Sequence, residues 1–264
     1  MSMSEDSTIG PSNDAVIDGK VWVKGTTKEM LDTFPKLIPK KEDIFVCTFP
    51  RSGTTWTQEI VWQIINDGKI DYRPLHVRMP WVDGMPYAQP ENPYLVTSAG
   101  MIEKMFECFP SPRVFKSHLP YDLVPKGCGQ AAKPQARYIY VMLYYGPWFD
   151  HVLSWWKHKD DPDVLILKYE DMKEDLLGTI RKIATFIGKE LPLETLERIV
   201  SQTSFNAMQK EGNSNFSFLR GFKGLCIRKG EVGNWKDYFT EDQSKRFDSL
   251  IKEKLAGSGL EDEF

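Results

Sequence analysis

Short apolar runs alternate with segments of helical hydrophobic spacing along most of the chain. Four runs indicate strands, because a strand covered on both faces of a sheet is apolar at most positions. They are residues 44–47, 113–118, 136–143 and 163–168. Between and after them, apolar residues recur three or four positions apart, as in Trp56, Ile60 and Ile64. This alternation predicts an α/β fold, in which one domain has a central, mainly parallel sheet flanked by helices.

Length and composition agree with a single domain, which we place at residues 16–264 after a disordered tail at residues 1–15. Of the 264 residues, 41% are hydrophobic and 27% are charged, and this length is ample for a core. A net charge of −3 does not indicate a nucleic-acid partner. No apolar run has membrane-spanning length and the N-terminus lacks an apolar signal core. We therefore expect a cytoplasmic protein with no membrane partner.

The loop after the first predicted strand has the composition of a phosphate site. It combines a cation, three hydroxyls and a glycine, in Arg51, Ser52, Gly53, Thr54 and Thr55. The helix that begins there adds unpaired N–H groups and a partial positive charge. A Ser-Gly-Thr-Thr tetrapeptide alone is usually an ordinary capped turn, but a strand before it and a helix after it favour a phosphate site. The ATPase pattern GxxxxGK[ST] is absent, so the loop should hold phosphate without necessarily splitting a triphosphate.

A second group of candidate residues lies at the end of the second predicted strand. Lys116 and His118 are two residues apart, so on a strand their side chains point the same way. Chemistry in open parallel sheets gathers at the carboxyl ends of strands. A lone histidine is more often a surface or core residue, but this position beside a lysine favours a functional role. The four cysteines are scattered and histidines are few, so we expect no metal site.

Two further stretches remain open between a structural and a functional interpretation. Arg228, Lys229 and Gly230 fit a second phosphate grip, although in isolation a solvated basic turn is the simpler explanation. Residues 72–97 are crowded with Pro, Trp and Tyr, which excludes a long helix. They are either a surface loop packed by its aromatic side chains or an aromatic wall for an apolar acceptor.

Four separated motifs occur in the order TFPRSGTTW, KSHLP, YEDM and RKGEVGNWK, and they extend over nearly the whole chain after residue 40. In this pattern the chain resembles the cytosolic sulfotransferases. The resemblance implies that the donor is 3′-phosphoadenosine 5′-phosphosulfate (PAPS), that the product is 3′-phosphoadenosine 5′-phosphate (PAP), and that no metal takes part. It implies a small-molecule acceptor that carries a hydroxyl or an amine, such as a phenol, a steroid or an alcohol.

The resemblance also implies roles for individual residues. Residues 51–55 would bind the 5′-phosphosulfate, and Arg228, Lys229 and Gly230 would bind the 3′-phosphate. The adenine region would lie among Trp56, Tyr169, Thr203 and Phe205. His118 would act as general base, while Lys116 and Arg51 would stabilise the transferring group and the leaving phosphate.

Three positions depart from the family pattern. Arg51 replaces a common lysine, and Asn234 replaces a common aspartate. After Leu143 the family continues with an Arg-Asn-Pro-Lys-Asp segment and a Ser-Tyr-Tyr helix, whereas here Tyr144 follows directly. Either the chain has an internal deletion or the sequence omits residues of the natural protein. We favour omission, because a strand joined so abruptly to a helix would lose core and ligand contacts.

Alternatives to a sulfotransferase are a non-enzymatic nucleotide-binding protein of the same fold and, less favoured, a P-loop-type kinase. Assembly is a separate prediction. Family members often dimerise through a segment near the C-terminus, at which this chain has Glu241 in an apolar position and Lys245 in an acidic one. A charge buried in a two-fold contact is costly. We therefore expect a monomer, or a dimer that uses another surface.

Overall fold

The structure is a computed structural model that describes residues 15–22, 26–83, 99–127, 136–142, 149–212, 227, 229–233 and 237–263. The predicted N-terminal tail lies outside these residues except for Ala15, which begins the first strand. Arg228, Asn234 and the junction between Leu143 and Tyr144 also lie outside them. In the described part of the chain, no helix is both long enough and apolar enough to cross a membrane.

A four-stranded parallel sheet forms the centre of the fold, as the sequence predicted. Its strands are β3 (Ile44–Thr48), β4 (Val114–Ser117), β5 (Arg137–Met142) and β6 (Val164–Lys168), in the order β4-β3-β5-β6. A separate antiparallel hairpin joins β1 (Ala15–Ile17) to β2 (Lys20–Trp22). Residues 80–82 extend the central sheet beyond β4, because the Lys116 N–H donates to the Pro80 carbonyl at 3.0 Å and the Val82 N–H donates to the Lys116 carbonyl at 2.9 Å.

Helices connect and cover these strands. In chain order they are α1 (Lys28–Thr33), α2 (Thr54–Ile65), α3 (Leu75–Arg78), α4 (Ala99–Cys108), α5 (Phe149–Trp156), α6 (Tyr169–Glu174), α7 (Leu176–Phe186), α8 (Leu193–Gln202), α9 (Phe205–Lys210) and α10 (Glu241–Leu255). A capping box begins the last helix, with the Thr240 hydroxyl accepting the Gln243 N–H and the Gln243 side-chain oxygen accepting the Thr240 N–H.

Alternate residues of β3 point into two hydrophobic layers, as a strand buried on both faces requires. Ile44 and Val46 pack with residues of α2, α7 and α8. Phe45 and Cys47 pack with residues of α4, α5 and α10 on the other face. Trp155 is fully buried in this second layer.

Two short helices that the sequence analysis did not separate begin next to predicted ligand-binding residues. Helix α6 ends at Glu174 because Asp175 caps the next helix, its carboxylate accepting the Gly178 N–H at 2.8 Å. Helix α9 is capped by the Ser204 hydroxyl, which accepts the Ala207 N–H at 3.4 Å. Both helices therefore bring an aromatic first residue, Tyr169 or Phe205, to a fixed place at the edge of the fold.

Candidate active site

The loop between β3 and α2 is a tight turn at the carboxyl end of the sheet. The Ser52 N–H donates to the Phe49 carbonyl at 3.2 Å, and the backbones of Arg51 and Gly53 are left-handed, with φ of +75° and +91°. A positive φ is uncommon for a residue such as arginine and marks a backbone held by its surroundings. Gly53 is the N-cap of α2 and has no side-chain oxygen to cap it. The first N–H groups of α2 are therefore left for an anion.

The ring of Tyr169 lies directly against Gly53. A Cβ atom at residue 53 would lie 2.9 Å from Tyr169 Cδ2, so only glycine permits this approach. The same ring makes an edge contact with Trp56, with ring centroids 5.6 Å apart. Strand β6 ends at Lys168, and its carboxyl end thus brings Tyr169 to the phosphate loop.

Trp56 links the loop to the segment between α8 and α9. Its indole N–H donates to the Thr203 carbonyl at 2.8 Å, and Lys173 Nζ lies 5.8 Å from the centre of its ring. Thr203 is buried and its hydroxyl donates to the Ile199 carbonyl at 2.8 Å. Thr203 therefore contributes a backbone group that orients Trp56, while its hydroxyl closes its own helix.

Phe205 links this segment to the basic motif. A Cβ atom at residue 230 would collide with the Phe205 ring, and Gly230 has a left-handed φ of +67°. Next to it, the exposed Lys229 pairs with Asp237 at 3.1 Å. A chain of contacts thus runs from the phosphate loop to the basic motif. We call it the donor surface, and its residues are Gly53, Trp56, Tyr169, Thr203, Phe205 and Gly230. Sequence analysis placed all of them in one site, and the structure brings them together.

His118 is bonded to the phosphate loop through one threonine. His118 Nδ1 lies 2.9 Å from the Thr48 carbonyl oxygen and 3.1 Å from Thr48 Oγ1, and Thr48 Oγ1 lies 2.6 Å from Thr54 Oγ1. A carbonyl oxygen can only accept, so Nδ1 carries the ring proton. The neutral ring then has its basic lone pair on Nε2, and a general base accepts a proton through such a lone pair.

The surroundings of His118 keep its ring neutral. Burial lowers its pKa well below the usual value, and the positive charge of Lys116 lowers the pKa further, whereas the hydrogen bond to the Thr48 carbonyl acts in the opposite direction. Lys116 and His118 both contact the ring of Trp81. Lys116 Nζ lies 3.7 Å from the centre of that ring, and the His118 ring meets it edge-on with ring centroids 5.0 Å apart. Trp81 belongs to the aromatic stretch that the sequence analysis left open, most of which lies outside the described residues.

Three residues near His118 were missed by the sequence analysis. Thr48 is the only polar residue of its strand and stands at the strand end, so this pattern was a usable signal. His151 precedes Trp155 by four positions in α5 and so lies on a buried helix face, which was a weaker signal. Asp83 lies within the proline-rich stretch of residues 72–97 and gave no sequence signal. Both of its carboxylate oxygens accept the His118 N–H, at 3.1 and 2.9 Å.

Among the residues that the structure describes, no group of three or more His, Cys, Asp or Glu side chains is placed to hold a metal ion. This edge of the sheet holds side-chain cations and backbone N–H groups as well as the Asp83 carboxylate. Lys116 and the exposed Arg51 supply the cations, and α2 supplies the N–H groups.

The fold and this site define a class: an α/β protein with a strand-loop-helix turn of the phosphate-binding type beside a neutral histidine. The sulfotransferase domain family matches residues 41–143 and 142–259. The chain is 33% identical to Sulfotransferase 1B1 of Mus musculus, and the match covers 83% of this chain and 84% of that protein. It therefore belongs to the sulfotransferase family, and it is a PAPS-dependent sulfotransferase, as its motifs predicted.

Two solved structures share the fold. The crystal structure of a mouse sulfotransferase complexed with PAP is 25% identical, has a TM-score of 0.73, and the match covers 94% of this chain and 97% of that one. The crystal structure of retinol dehydratase in a complex with retinol and PAP is 26% identical, has a TM-score of 0.72, and the match covers 87% of this chain and 86% of that one.

Proposed function

We propose that this protein transfers a sulfuryl group from PAPS to a hydroxyl or amine of a small acceptor, with His118 as general base. The observation that carries this proposal is the hydrogen bond of His118 Nδ1 to the Thr48 carbonyl, which leaves Nε2 unprotonated. The same threonine contacts Thr54 of the phosphate loop at 2.6 Å. The base and the proposed donor site are therefore held together by one short chain of hydrogen bonds.

The reaction is an in-line displacement at sulfur. His118 Nε2 accepts the acceptor proton while the acceptor oxygen or nitrogen forms its bond to sulfur. The bond from sulfur to the phosphate oxygen breaks, and PAP leaves. Lys116 and Arg51 stabilise charge on the transferring and leaving oxygens, as positioned cations do in phosphoryl transfer. Positioning rather than covalent catalysis supplies most of the rate.

The donor surface assigns parts of the donor to this chain's residues. Residues 51–55 and the N-terminus of α2 hold the 5′-phosphosulfate. Trp56, Tyr169 and Phe205 offer rings to the adenine, while Lys229 with Arg228 and Gly230 holds the 3′-phosphate. Support comes from the solved complexes of related proteins with PAP, and from the packing of Phe205 on Gly230.

The acceptor is proposed to be apolar apart from its reacting group. Trp81 lies against both Lys116 and His118, so an aromatic ring faces the place of transfer. One related protein, retinol dehydratase, has been solved with retinol and with androsterone, both of which are apolar alcohols.

A labelled-donor assay tests this function directly. The full chain is incubated with PAPS labelled in the sulfuryl group and with phenols, steroids, aliphatic alcohols and amines in turn. We expect transfer to at least one class and tighter calorimetric binding of PAP than of 5′-AMP. Tight PAP binding with no transfer to any class would favour the non-enzymatic nucleotide-binding protein. Equal affinity for PAP and 5′-AMP would refute the 3′-phosphate site.

We also propose that the natural protein contains residues between Leu143 and Tyr144. The family matches the chain in two parts that meet at residues 142–143, which is where the motif comparison indicated a gap. Intact-mass measurement of the protein from its natural source should exceed 30.4 kDa. A mass equal to that value would mean that the deletion is real, and donor affinity should then be poor.

Assembly and location complete the proposal. Thr240 caps α10 through its hydroxyl, and Glu241 and Lys245 are both exposed at the start of that helix. A two-fold contact through this segment would bury these charges, which is costly, so we propose a monomer or a dimer that does not use it. The family that the motifs resemble is cytosolic, and we propose a cytoplasmic location with neither a nucleic-acid nor a membrane partner. Light scattering at micromolar concentration tests the mass of the particle.

A further inference from the structure

The backbone of His118 is held on both sides by side chains, of which one is buried and one is partly buried. On one side, the carboxylate of Asp83 accepts the His118 N–H at 3.1 and 2.9 Å. On the other side, His151 Nε2 lies 3.0 Å from the His118 carbonyl oxygen. Strand β4 ends at Ser117, so these two contacts begin where the strand ladder stops. They come from two separate parts of the chain, the segment before residue 84 and helix α5.

The partners of His151 determine which of its ring nitrogens donates a hydrogen bond and which accepts one. The His118 carbonyl can only accept, so Nε2 of His151 carries the proton. Burial lowers the pKa of His151 to about 4, which keeps its ring neutral at physiological pH. Nδ1 is then an acceptor, and the Tyr140 hydroxyl at 3.1 Å donates to it. Tyr140 lies on β5, so the central sheet itself fixes the orientation of this imidazole.

The His151 ring is also enclosed by aromatic side chains. Phe49, at the start of the phosphate loop, meets it edge-on with ring centroids 5.5 Å apart. The Tyr140 ring lies 5.6 Å away and is tilted by 30°. His151 therefore contacts the end of β3, the end of β4 and the middle of β5 from one position.

We propose that Asp83 and His151, here called the flanking pair, are positioning residues that hold the backbone of His118 so that its Nε2 faces the acceptor. This inference rests on the proposed role of His118 as general base. The Thr48 carbonyl fixes the rotation of the His118 ring, while the flanking pair fixes the peptide groups on both sides of it. A displacement of about 1 Å at a reacting group can cost about 10²-fold in rate.

Ring-preserving and donor-preserving variants of His151 separate its packing from its hydrogen bond. His151→Phe keeps the aromatic contacts and loses the N–H, and we expect kcat to fall by about 10- to 100-fold. His151→Gln places an amide N–H near the position of Nε2, and we expect kcat within about threefold of the wild type, since the bond to the carbonyl is retained. For both variants KM for the acceptor and Kd for PAP should remain close to the wild-type values.

A double variant tests whether the loss of kcat in His151→Phe results only from a loss of stability. His151→Phe leaves the Tyr140 hydroxyl buried without its acceptor, which itself destabilises a protein. In the double variant Tyr140→Phe with His151→Phe both polar partners are replaced by apolar rings, and the unfolding midpoint should recover while kcat stays low. Recovery of kcat together with stability would overturn the proposal. His158→Phe is the matched control. The His158 ring stacks on the Tyr121 ring outside the site, with ring centroids 3.5 Å apart, and the kcat of this variant should be unchanged.

The other member of the pair has its own matched variants. Asp83→Asn retains an oxygen that can accept the His118 N–H, whereas Asp83→Ala retains none. We expect kcat to fall more than about tenfold for alanine and much less for asparagine, again without a matching change in PAP affinity. Equal losses for both variants would contradict a hydrogen-bonding role.

The wild-type protein provides a readout that needs neither a variant nor activity. In protein labelled with ¹⁵N at its four histidines, we expect His118 to carry its proton on Nδ1 and His151 on Nε2. Protonation of His151 on Nδ1 would overturn the proposal whether or not His118 is the base. Conversely, normal turnover of His118→Ala would refute the role of His118 as general base. The histidine ¹⁵N spectra would still test the hydrogen bond of His151 to the His118 backbone.

Discussion

The two ends of the central sheet each hold a buried carboxylate, and the carboxylates differ in their partners. At the amino end, Asp43 pairs with Arg113, whose Nε donates to Oδ1 at 2.7 Å, and both side chains are almost fully buried. At the carboxyl end, Asp83 accepts the His118 N–H, and burial raises its pKa while this hydrogen bond and one from Ser117 act against the rise.

From this difference in hydrogen-bond partners we infer that the amino end of the sheet serves stability and the carboxyl end serves the reaction. A buried charge that meets an opposite charge and further hydrogen bonds is fully satisfied, and it holds two strands in register. At the other end, Asp83 is bonded to neutral donors and His118 retains an unprotonated nitrogen beside Lys116. Unsatisfied or unusually protonated groups are typical of functional sites. Substitutions at the amino end should therefore change stability, and those at the carboxyl end should change rate.

The largest expected effect on stability is that of Asp43→Asn. Removal of the carboxylate leaves the Arg113 guanidinium buried without its partner, which should destabilise the protein by about 3–5 kcal/mol. Denaturant unfolding measures this change, and kcat of the folded molecules should stay the same. Asp67→Asn is the control, because the pair of Asp67 with Lys189 is exposed and its loss should barely shift the unfolding midpoint. A fall in kcat without a loss of stability in Asp43→Asn would contradict the comparison.

Lys116→Gln should act on rate instead. Loss of one charge that stabilises the transferring group should lower kcat by about 10²–10³-fold while PAP still binds. The pKa of His118 should rise in this variant, because the Lys116 charge lowers it in the wild type. Lys126→Gln is a close control, since Lys126 is also a lysine over an aromatic ring, with Nζ 4.5 Å from the Tyr121 ring centre, but lies away from the site. Similar losses of kcat in both variants would show that the effect is not specific to the site.

The pH dependence of the free energy of unfolding should reveal the lowered pKa of His151. Its pKa is about 4 in the folded protein against an ordinary 6.5, so below pH 6.5 the unfolded chain binds a proton that the folded chain does not. Stability should therefore fall as pH decreases from about 6.5 to 4, and this residue should account for about 3 kcal/mol of the fall. Unfolding curves of the wild type and His151→Gln should diverge in this interval, with the variant less sensitive to acid. Parallel curves would mean that His151 has the same pKa in the folded and unfolded states, which would contradict its lowered pKa.

The smallest effect concerns the donor surface. Gly230→Ala places a Cβ in the Phe205 ring and keeps an unfavourable left-handed backbone, so we expect PAP affinity to fall by about tenfold. Gly233→Ala has the same kind of backbone, with φ of +76°, but nothing lies within 4 Å of its Cβ. Calorimetry on both variants isolates the Phe205 contact. Equal affinities would show that Phe205 and Gly230 do not form one surface in solution.

The sequence predicted the sheet and the phosphate loop because both depend on local patterns. Apolar runs locate the strands, and a parallel arrangement brings their carboxyl ends to one edge, which places residues 51–55 near His118 without further information. Short helices such as α9 were missed, because six residues are too few to show a period.

The partners of His118 could not be predicted, because they come from residues far apart in the chain. His151 reaches His118 only through the packing of α5 against β5, and Asp83 reaches it only because residues 80–82 extend the sheet beside β4. The pair of Asp43 with Arg113 was missed for the same reason, as the two residues are 70 positions apart. Local patterns thus predict elements, while buried polar contacts between elements require the structure.

Single-turnover transfer in the wild type and in His118→Ala tests the central claim most directly, because it measures the chemical step apart from product release. Each protein is loaded with labelled PAPS and mixed with an excess of an acceptor found in the panel. We predict that His118→Ala transfers the label more slowly by about 10²–10⁴-fold while it binds PAP as tightly as the wild type. A single-turnover rate close to that of the wild type would contradict the assignment of His118 as the general base.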